Sequence, residues 1–294
     1  MPFPVVFTGG INPLLWRPSV AFGAFDQPTY LVDITPFLGQ LTDDAEHEIQ
    51  LKVVSAEESQ EIDASWFVSG NVQVFLDKSD TRTTGRITSY NAPTAGNFST
   101  AGYVKGNVSE DGTLRAEVRL DSPRRLSIEA ELRTGSSEED IAVSWSQSAD
   151  FYSITTQQGP SSTTDQEAKG SHQSFHGKDL YLQYGFDFPI KISLYQTKDV
   201  INATINHAYN VTQQFHDNAT LEPSFFRLTT EQKAEASVTL KDGQSTAGDG
   251  TTLTILDYSD DLGNTFGRRN IGHNRSVESD LFYGSLASKA GRVK

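Results

Sequence analysis

The sequence predicts an all-β protein, built as an antiparallel β-sandwich or jelly roll, and a two-lobed arrangement is compatible with it. Three observations support this class. Several segments alternate apolar and polar residues with a period of two, as half-buried strands do. Turn-forming residues separate these segments, and no long stretch has helical periodicity with helix caps.

The alternating segments are the predicted strands, in chain order Val72–Asp77, Leu114–Leu120, Leu126–Leu132, Ile141–Ser148 and Ala236–Asp242. Short groups rich in Asp, Ser, Pro and Gly predict turns between strands. Examples are Asp121-Ser122-Pro123, Lys241-Asp242-Gly243 and Gly248-Asp249-Gly250. Antiparallel strands with short connections are typical of sandwiches and jelly rolls.

The chain organisation is predicted from one polar segment. Residues 156–172 read TQQGPSSTTDQEAKGSH, with few large apolar side chains, and are interpreted as a surface loop or linker. This divides the chain into a β-sandwich domain at residues 1–155 and a second β-rich region at 173–294. The basic segment that begins at Phe266 is expected to be an edge or a poorly ordered tail.

Composition limits the classes of function. The formal net charge of −14 makes nucleic acid an unlikely partner, because the field of the protein repels phosphates. The absence of cysteine excludes disulfides, thiolate metal sites and thiol nucleophiles. No window approaches the ~20 apolar residues of a membrane span. We expect no membrane insertion, no metal and no cofactor.

Six of the twelve asparagines lie in N-x-S/T sequons, at Asn97, Asn107, Asn202, Asn210, Asn218 and Asn274. This excess over chance indicates a chain made for the secretory pathway, either secreted or in a vacuolar lumen. The N-terminus MPFPVVFTGG lacks the pattern of a signal peptide. We therefore expect that an N-terminal part is missing from this sequence.

Two motif blocks near the N-terminus are more specific than any single residue. The first is FTGGINPLLWRP at residues 7–18, which combines two glycines, an Asn-Pro step and an adjacent Trp-Arg pair. The second is FDQPTYLVDITPFL at residues 25–38. Both resemble blocks of the peptide-N-(N-acetyl-beta-glucosaminyl)asparagine amidase A family. Where that family reads W-x-V-D-A-N-L-H-L-W-L-D, this chain has WFVSGNVQVFLD, with Ser69 at an acidic position.

The resemblance implies a function. Members of this family hydrolyse the amide between an asparagine side chain and the first N-acetylglucosamine of an N-glycan, without a metal. They are longer than this chain, and the first block falls near their middle, so the sequence resembles their C-terminal portion. The expected partners are an N-glycopeptide or glycoprotein substrate and the missing N-terminal half.

Amide hydrolysis needs a carboxylate that holds water and donors for the developing oxyanion. Asp26 and Asp33 are the candidate catalytic carboxylates, and Arg17 is the candidate oxygen-binding cation. We expect the first block to be a rigid turn that presents Trp16 and Arg17 to a cleft between lobes. The candidate substrate-binding residues are Asn12, Trp16, Tyr30 and Trp66, whose aromatic members offer faces for a sugar ring.

Purely structural roles are the alternative for these residues. The glycines can mark an ordinary turn, Trp16 can be a core residue, Arg17 can pair with a carboxylate, and Asp26 can cap a turn. His172 and His176 are spaced for metal only on a helix, which is not predicted there. For the whole chain, the alternative is a non-catalytic sugar-binding β-sandwich or a structural subunit.

Overall fold

The computed structural model describes residues 9–22, 32–52, 69–76, 78–93, 97–106, 114–135, 137, 139–215 and 224–287. Two 3-10 helices, η1 (Pro13–Trp16) and η2 (Thr35–Phe37), and one helical turn, α1 (Leu38–Leu41), precede the strands. The strands are β1 (Thr84–Asn91), β2 (Ser99–Lys105), β3 (Arg115–Asp121), β4 (Arg124–Arg133), β5 (Ile141–Gln158), β6 (Ser161–His176), β7 (Asp179–Gln196), β8 (Val200–Phe215), β9 (Phe225–Lys241), β10 (Gln244–Asp260), β11 (Thr265–His273) and β12 (Ser276–Tyr283).

The predicted all-β antiparallel class is confirmed. The described strands are joined into one sheet of twelve, rather than divided between the two sheets of a sandwich. Ten of them follow the order β1-β4-β5-β6-β7-β8-β9-β10-β11-β12, and β2 and β3 join the sheet through the pairing of β3 with β5. Each strand from β5 onward pairs with its neighbours in sequence, and every pair is antiparallel. Short turns connect these strands, as antiparallel pairing allows.

Beside the long strand β5, two rows of the sheet each consist of two shorter strands placed end to end, β4 with β3 and β1 with β2. β3 pairs with the second half of β5, and β4 pairs with its first half. Pro123, which has no amide hydrogen to donate, stands between β3 and β4. Likewise β1 pairs with β4 while β2 pairs with β3. Four predicted strands are found in the structure. Residues 114–120 and 126–132 correspond to β3 and β4, 141–148 to the first half of β5, and 236–242 to the end of β9.

The structure corrects the prediction of a loop at residues 156–172. The segment lies in the end of β5, the turn Gly159–Pro160 and β6, and β5 pairs with β6 from Val143–His176 to Gln158–Ser161. The prediction failed because the hydroxyl and amide side chains of this hairpin are polar on both faces, which removes the apolar signal of a strand. Hydrogen bonding is continuous across the segment. The division of the chain into two β-rich regions stays a prediction.

Two smaller predictions were also wrong. Residues 72–76, expected in a strand, form no strand in the structure and are exposed, because no described segment pairs with them; Asp77 lies outside the described residues. Gly248-Asp249-Gly250, expected as a turn, lies within β10, paired with β9. The glycines serve there as sites of close approach, since Leu14 packs directly on both of them.

One face of the sheet is buried. Along β4 to β9 the buried side chains alternate with more exposed ones, and the register places them on the same face. The N-terminal segment packs on this face at two separated places. η1 contacts β8, β9 and β10, whereas η2 contacts β1, β4 and β5. The motif blocks therefore anchor the chain on the buried face of the sheet.

Gly250→Val tests how η1 docks. A side chain at Gly250 would meet the Leu14 carbonyl oxygen at 2.8 Å, and this backbone atom cannot rotate away. We expect faster hydrogen exchange across residues 9–20 and a loss of about 1–3 kcal/mol in the free energy of unfolding. Gly70→Ala is the control, because its added methyl meets no atom within 4 Å. Equal exchange in the two variants would contradict this docking.

Candidate active site

The first motif block forms the predicted sharp turn. Gly9, Gly10 and Ile11 have positive φ angles of 116°, 137° and 64°. The Asn12 side chain accepts a hydrogen bond from the Leu14 amide at 3.0 Å and caps η1. This turn directs Leu15, fully buried, into a cluster with Ile190 and Ile205, among others. The block is thus first an anchor on the sheet.

Trp16 is half-buried in the structure. Its ring packs against the same hydrophobic cluster, and its Nε1 donates to the Gly10 carbonyl oxygen at 2.7 Å. Its edge also contacts the His207 ring, with centroids 6.1 Å apart. Arg17, the next residue, is exposed. Arg17 is the charged residue that the block presents to solvent.

His207 and Gln232 form a buried pair between β8 and β9, directly opposite each other in the register. Their side chains are joined at 2.8 Å. The Gln232 amide nitrogen also donates to the Val20 carbonyl oxygen at 3.0 Å and to Thr254 at 3.1 Å. Phe22 stacks on the imidazole at 4.1 Å between centroids. Contacts within the chain therefore account for the burial of these two polar side chains.

A second Gln–His pair lies on the same face, where Gln147 of β5 is directly opposite His172 of β6. Ser174, two residues farther along β6, points to the same face. Gln147, His172 and Ser174 are 3%, 1% and 0% exposed, and we call them the polar strip. Both amide atoms, both ring nitrogens and the hydroxyl are buried without a hydrogen-bond partner in the structure as described.

Burying the polar strip without hydrogen bonds costs a large amount of folding free energy. A buried polar group without a partner costs about 1–3 kcal/mol. For the five atoms of the polar strip, the sum is comparable to the ~5–15 kcal/mol that stabilises a whole domain. Buried polar groups in folded proteins are usually paired with the protein or with ordered water, so these five atoms depart from the general pattern.

Asp33 lies close enough to the polar strip for its charge to act on His172. Its Oδ1 accepts a hydrogen bond from the Thr35 amide at 2.9 Å, which fixes the carboxylate at the start of η2. Its Oδ2 is buried and has no partner among the described residues. The negative charge of Asp33 acts on two imidazoles of β6, His172 and His176. The structure thus brings one predicted carboxylate together with two histidines that sequence reasoning had set aside.

The His172 imidazole is held neutral. Burial lowers its pKa from 6.5 to about 4, and the charge of Asp33 opposes this effect only in part. Burial also lowers the pKa of His176. The Tyr184 ring stacks on His172, with centroids 4.9 Å apart. A neutral imidazole offers one donor and one acceptor, so the site has both kinds of hydrogen-bonding group next to a carboxylate.

This pKa predicts a pH dependence. The unfolded state binds more protons than the folded state between pH 4 and 6.5, so the stability from burying neutral His172 is complete above about 6.5 and is lost toward about 4. When the pH is lowered in an NMR titration, we expect His273 to protonate first, because its hydrogen bond to Asp249 raises its pKa, and His172 to protonate at lower pH. Protonation of His172 before His273 would contradict the burial of a neutral ring.

A cation lies on the same face beyond the other end of the strip. Arg124 of β4 is directly opposite Ala149, the next covered position after Gln147 along β5. Its Nε is buried and donates to no described group. Burial lowers its pKa. The polar strip therefore lies between a guanidinium and a carboxylate.

The remaining predicted residues lie outside the described part of the chain: Asp26, Tyr30 and Trp66. The residues that the sequence analysis did not select are Gln147 and Ser174. The only signal for them was the period of two in Ile141–Ser148, which places Gln147 on the buried face. For the β6 residues no signal was recognised, because that segment was interpreted as a loop.

Metals and membranes were searched in the described ranges. There, no group of three His, Cys, Asp or Glu side chains is placed to hold a metal ion. In the same residues, no helix combines the length and the apolar character that crossing a membrane requires.

The fold and site define a class: an all-β protein in which a fixed carboxylate adjoins neutral hydrogen-bonding side chains on a covered sheet face. Residues 1–93 match the family described as Peptide N-acetyl-beta-D-glucosaminyl asparaginase amidase A. This match covers the N-terminal third of the chain and includes both motif blocks.

A curated protein from Prunus dulcis is also similar to part of this chain. It is named Peptide-N4-(N-acetyl-beta-glucosaminyl)asparagine amidase A and is 45% identical over 91 residues. The alignment covers 31% of this chain and 15% of the relative. No solved structure matches the chain. The polar strip lies beyond the region that matches the family.

Proposed function

We propose that this chain is part of a glycoamidase, which hydrolyses the amide between an asparagine side chain and the first N-acetylglucosamine of an N-glycan. The observation that carries the proposal is the family match over residues 1–93, which includes both motif blocks. The relative from Prunus dulcis bears the name of such an amidase. The substrate would be a glycopeptide or glycoprotein.

Asp33 is the proposed general base. Its free Oδ2 accepts a proton from water, whose oxygen attacks the amide carbonyl carbon. The carbon–nitrogen bond then breaks as the nitrogen takes the proton from Asp33 and leaves as the glycosylamine, and the peptide keeps an aspartate. Arg17 is exposed and follows η1, which packs on β8, β9 and β10 and not beside η2, so we propose that it binds a part of the substrate away from the scissile amide.

The other predicted site residues have weaker support. Asp26, Tyr30 and Trp66 are proposed only from the resemblance of their motif blocks. Asn12 and Trp16 have the structural contacts given above, so we propose that they act mainly by holding the block in place.

Isotope incorporation tests the function. A defined N-glycopeptide is incubated with the folded chain in ¹⁸O-labelled water and analysed by mass spectrometry. We expect an aspartate that carries one labelled oxygen at the former glycosylation site. Release of the sugar with intact asparagine would contradict an amidase, because the glycosidic bond would then have been cleaved.

A second candidate function is sugar binding without catalysis. It is favoured by the short extent of the alignment, which covers only 15% of the relative. The activity of the whole enzyme can require the part that is not matched, including a separate N-terminal half as a partner. Binding of an N-glycan core by a folded chain that forms no aspartate would support this function.

Passage through the secretory pathway is part of the proposal. The side chains of Asn97 and Asn202, both in sequons, are exposed. The protein recovered from a eukaryotic secretory host should lose mass when its N-glycans are removed enzymatically. An unchanged mass would count against this route.

A further inference from the structure

We propose that Asn202 is N-glycosylated and that the first sugar of its glycan lies in a groove on the outer face of the sheet, the face opposite the buried one. The inference rests on the proposed passage through the secretory pathway and is independent of the amidase. Asn202 and Thr204 belong to one sequon, and both line the groove. The family match, which ends at residue 93, does not include them.

The groove crosses the five strands from β6 to β10 and has a volume of about 550 Å³. Tyr195, Asn202 and Ser237 lie side by side on its floor, on β7, β8 and β9. Asn202 and Ser237 adjoin the buried residues Ala203 and Ala236 along their strands, so their side chains point outward. The structure therefore holds open space beside the Asn202 side chain.

The Asn202 amide is available for modification. Its side chain is exposed, and the Ser237 hydroxyl donates to its Oδ1 at 2.8 Å. Among the described residues, none makes a hydrogen bond with its Nδ2, the atom to which an N-glycan is joined. A glycan is bulky and hydrophilic, so the folded chain tolerates it where this nitrogen faces solvent.

Asn274, in another sequon, shows the opposite arrangement. Its Nδ2 donates to Asp249 at 3.0 Å, and its Oδ1 accepts from the Gly250 amide at 2.9 Å. The residue is half-buried and has a positive φ of 55°. A sugar on this nitrogen would replace one of its two N–H groups and displace the neighbouring residues. The fold thus leaves one sequon open and closes the other.

The lining of the groove suits a sugar ring. Tyr195 is directly opposite Asn202 and 41% exposed, so its ring offers an apolar face to the C–H groups of a sugar. Directly opposite residues have Cβ atoms about 5 Å apart, which is within reach of a sugar that begins at Nδ2. The hydroxyl of Ser193 and the carboxylate of Glu235 line the groove as partners for sugar hydroxyls.

Attachment explains why an open groove is enough. A sugar joined to Asn202 stays beside the groove at an effective concentration on the order of millimolar, so weak contacts hold it in place. A neutral sugar is also not repelled by the net charge of −14, as a free anionic ligand would be.

The attachment step needs a donor from the host, an oligosaccharide carried on a lipid diphosphate. The Asn202 Nδ2 attacks C1 of the first sugar and loses one proton to a base of the host transferase. The new C1–N bond replaces the bond from C1 to the diphosphate oxygen, and the lipid diphosphate leaves as an anion. No oxidation or reduction takes place.

Site mapping tests the modification. The whole chain is secreted from a eukaryotic host, and its peptides are analysed by mass spectrometry before and after enzymatic removal of glycans in ¹⁸O-labelled water. We expect glycans at Asn202 and at the exposed Asn97, and an unmodified Asn274. Glycan at Asn97 with unmodified Asn202, or equal occupancy of Asn202 and Asn274, would overturn the inference and leave the secretory route standing. Absence of glycan at every sequon would refute both.

The groove contact is tested by Tyr195→Ala. In the glycosylated protein this change should lower the melting temperature by about 2 °C more than in an Asn202→Gln background, which lacks the glycan. Tyr90→Ala is the matched control, because Tyr90 is 58% exposed on β1, away from the groove, and its effect should be the same in both backgrounds. An equal effect of Tyr195→Ala in the two backgrounds would refute the contact.

Trimming of the glycan provides a measurement that needs no groove variant. An endoglycosidase that leaves only the first sugar on Asn202 should preserve the melting temperature of the wild type. A fall on trimming as large as that in Asn202→Gln would show that the first sugar makes no stabilising contact. These outcomes do not depend on aspartate formation from an added glycopeptide, so the amidase stands or fails separately.

Discussion

Asp33→Asn is expected to lower the turnover of an N-glycopeptide about 100-fold or more, because an amide cannot accept the proton of the attacking water. The substitution keeps the backbone contact, since an asparagine oxygen can accept the Thr35 amide hydrogen as Asp33 Oδ1 does. The free energy of unfolding should therefore change little. Steady-state kinetics and urea denaturation of the same preparations measure the two quantities.

Asp43→Asn is the matched control. Asp43 Oδ1 accepts the amide of Ala45 at 2.9 Å, which is the same local geometry as that of Asp33 and Thr35. Asp43 is exposed and pairs with His47 at the surface. Its substitution should leave turnover unchanged. Equal turnover in the wild type and Asp33→Asn would refute the role of Asp33 as the base.

Leu15→Ala is expected to lower the free energy of unfolding by about 2–5 kcal/mol. Leu15 is 0% exposed and packs among residues of β7, β8 and β9, so truncation leaves a cavity that the rigid strands cannot fill. The loss should include the docking of η1. Urea denaturation, followed by tryptophan fluorescence and by circular dichroism, measures it.

Leu76→Ala is the control for this prediction. Leu76 is 89% exposed, so removing its side chain should change the free energy of unfolding by no more than about 0.5 kcal/mol. A loss of the same size in both variants would show that burial of Leu15 is not what stabilises the fold.

The sequence was a good guide where one face of a strand is apolar. β4 alternates Leu126, Ile128, Ala130 and Leu132 on its buried face, and its prediction was confirmed. It was a poor guide in β6, whose buried positions include Ala168, His172 and Ser174. Such small or polar residues give no hydrophobic period, and only the partner strands show that this segment belongs to a sheet.

The candidate site could be predicted only in part for a related reason. Asp33 belongs to a motif block and was selected from it. Gln147 and His172 lie far along the chain, and the register between β5 and β6 makes them neighbours. Register is a tertiary property that single-strand patterns do not encode fully. The difference between the two Gln–His pairs likewise appears only when the contacts of each pair are known.

The docking of η1 has a consequence for folding. The strands from β5 onward pair with their sequence neighbours, so these hairpins need only short loop closures. The contact from Gln232 to Val20 spans 212 residues and that from Ser19 to Asn270 spans 251. Closing such loops costs more chain entropy. We therefore expect docking of the N-terminal segment to be the late step that turns a row of locally formed hairpins into one cooperative unit.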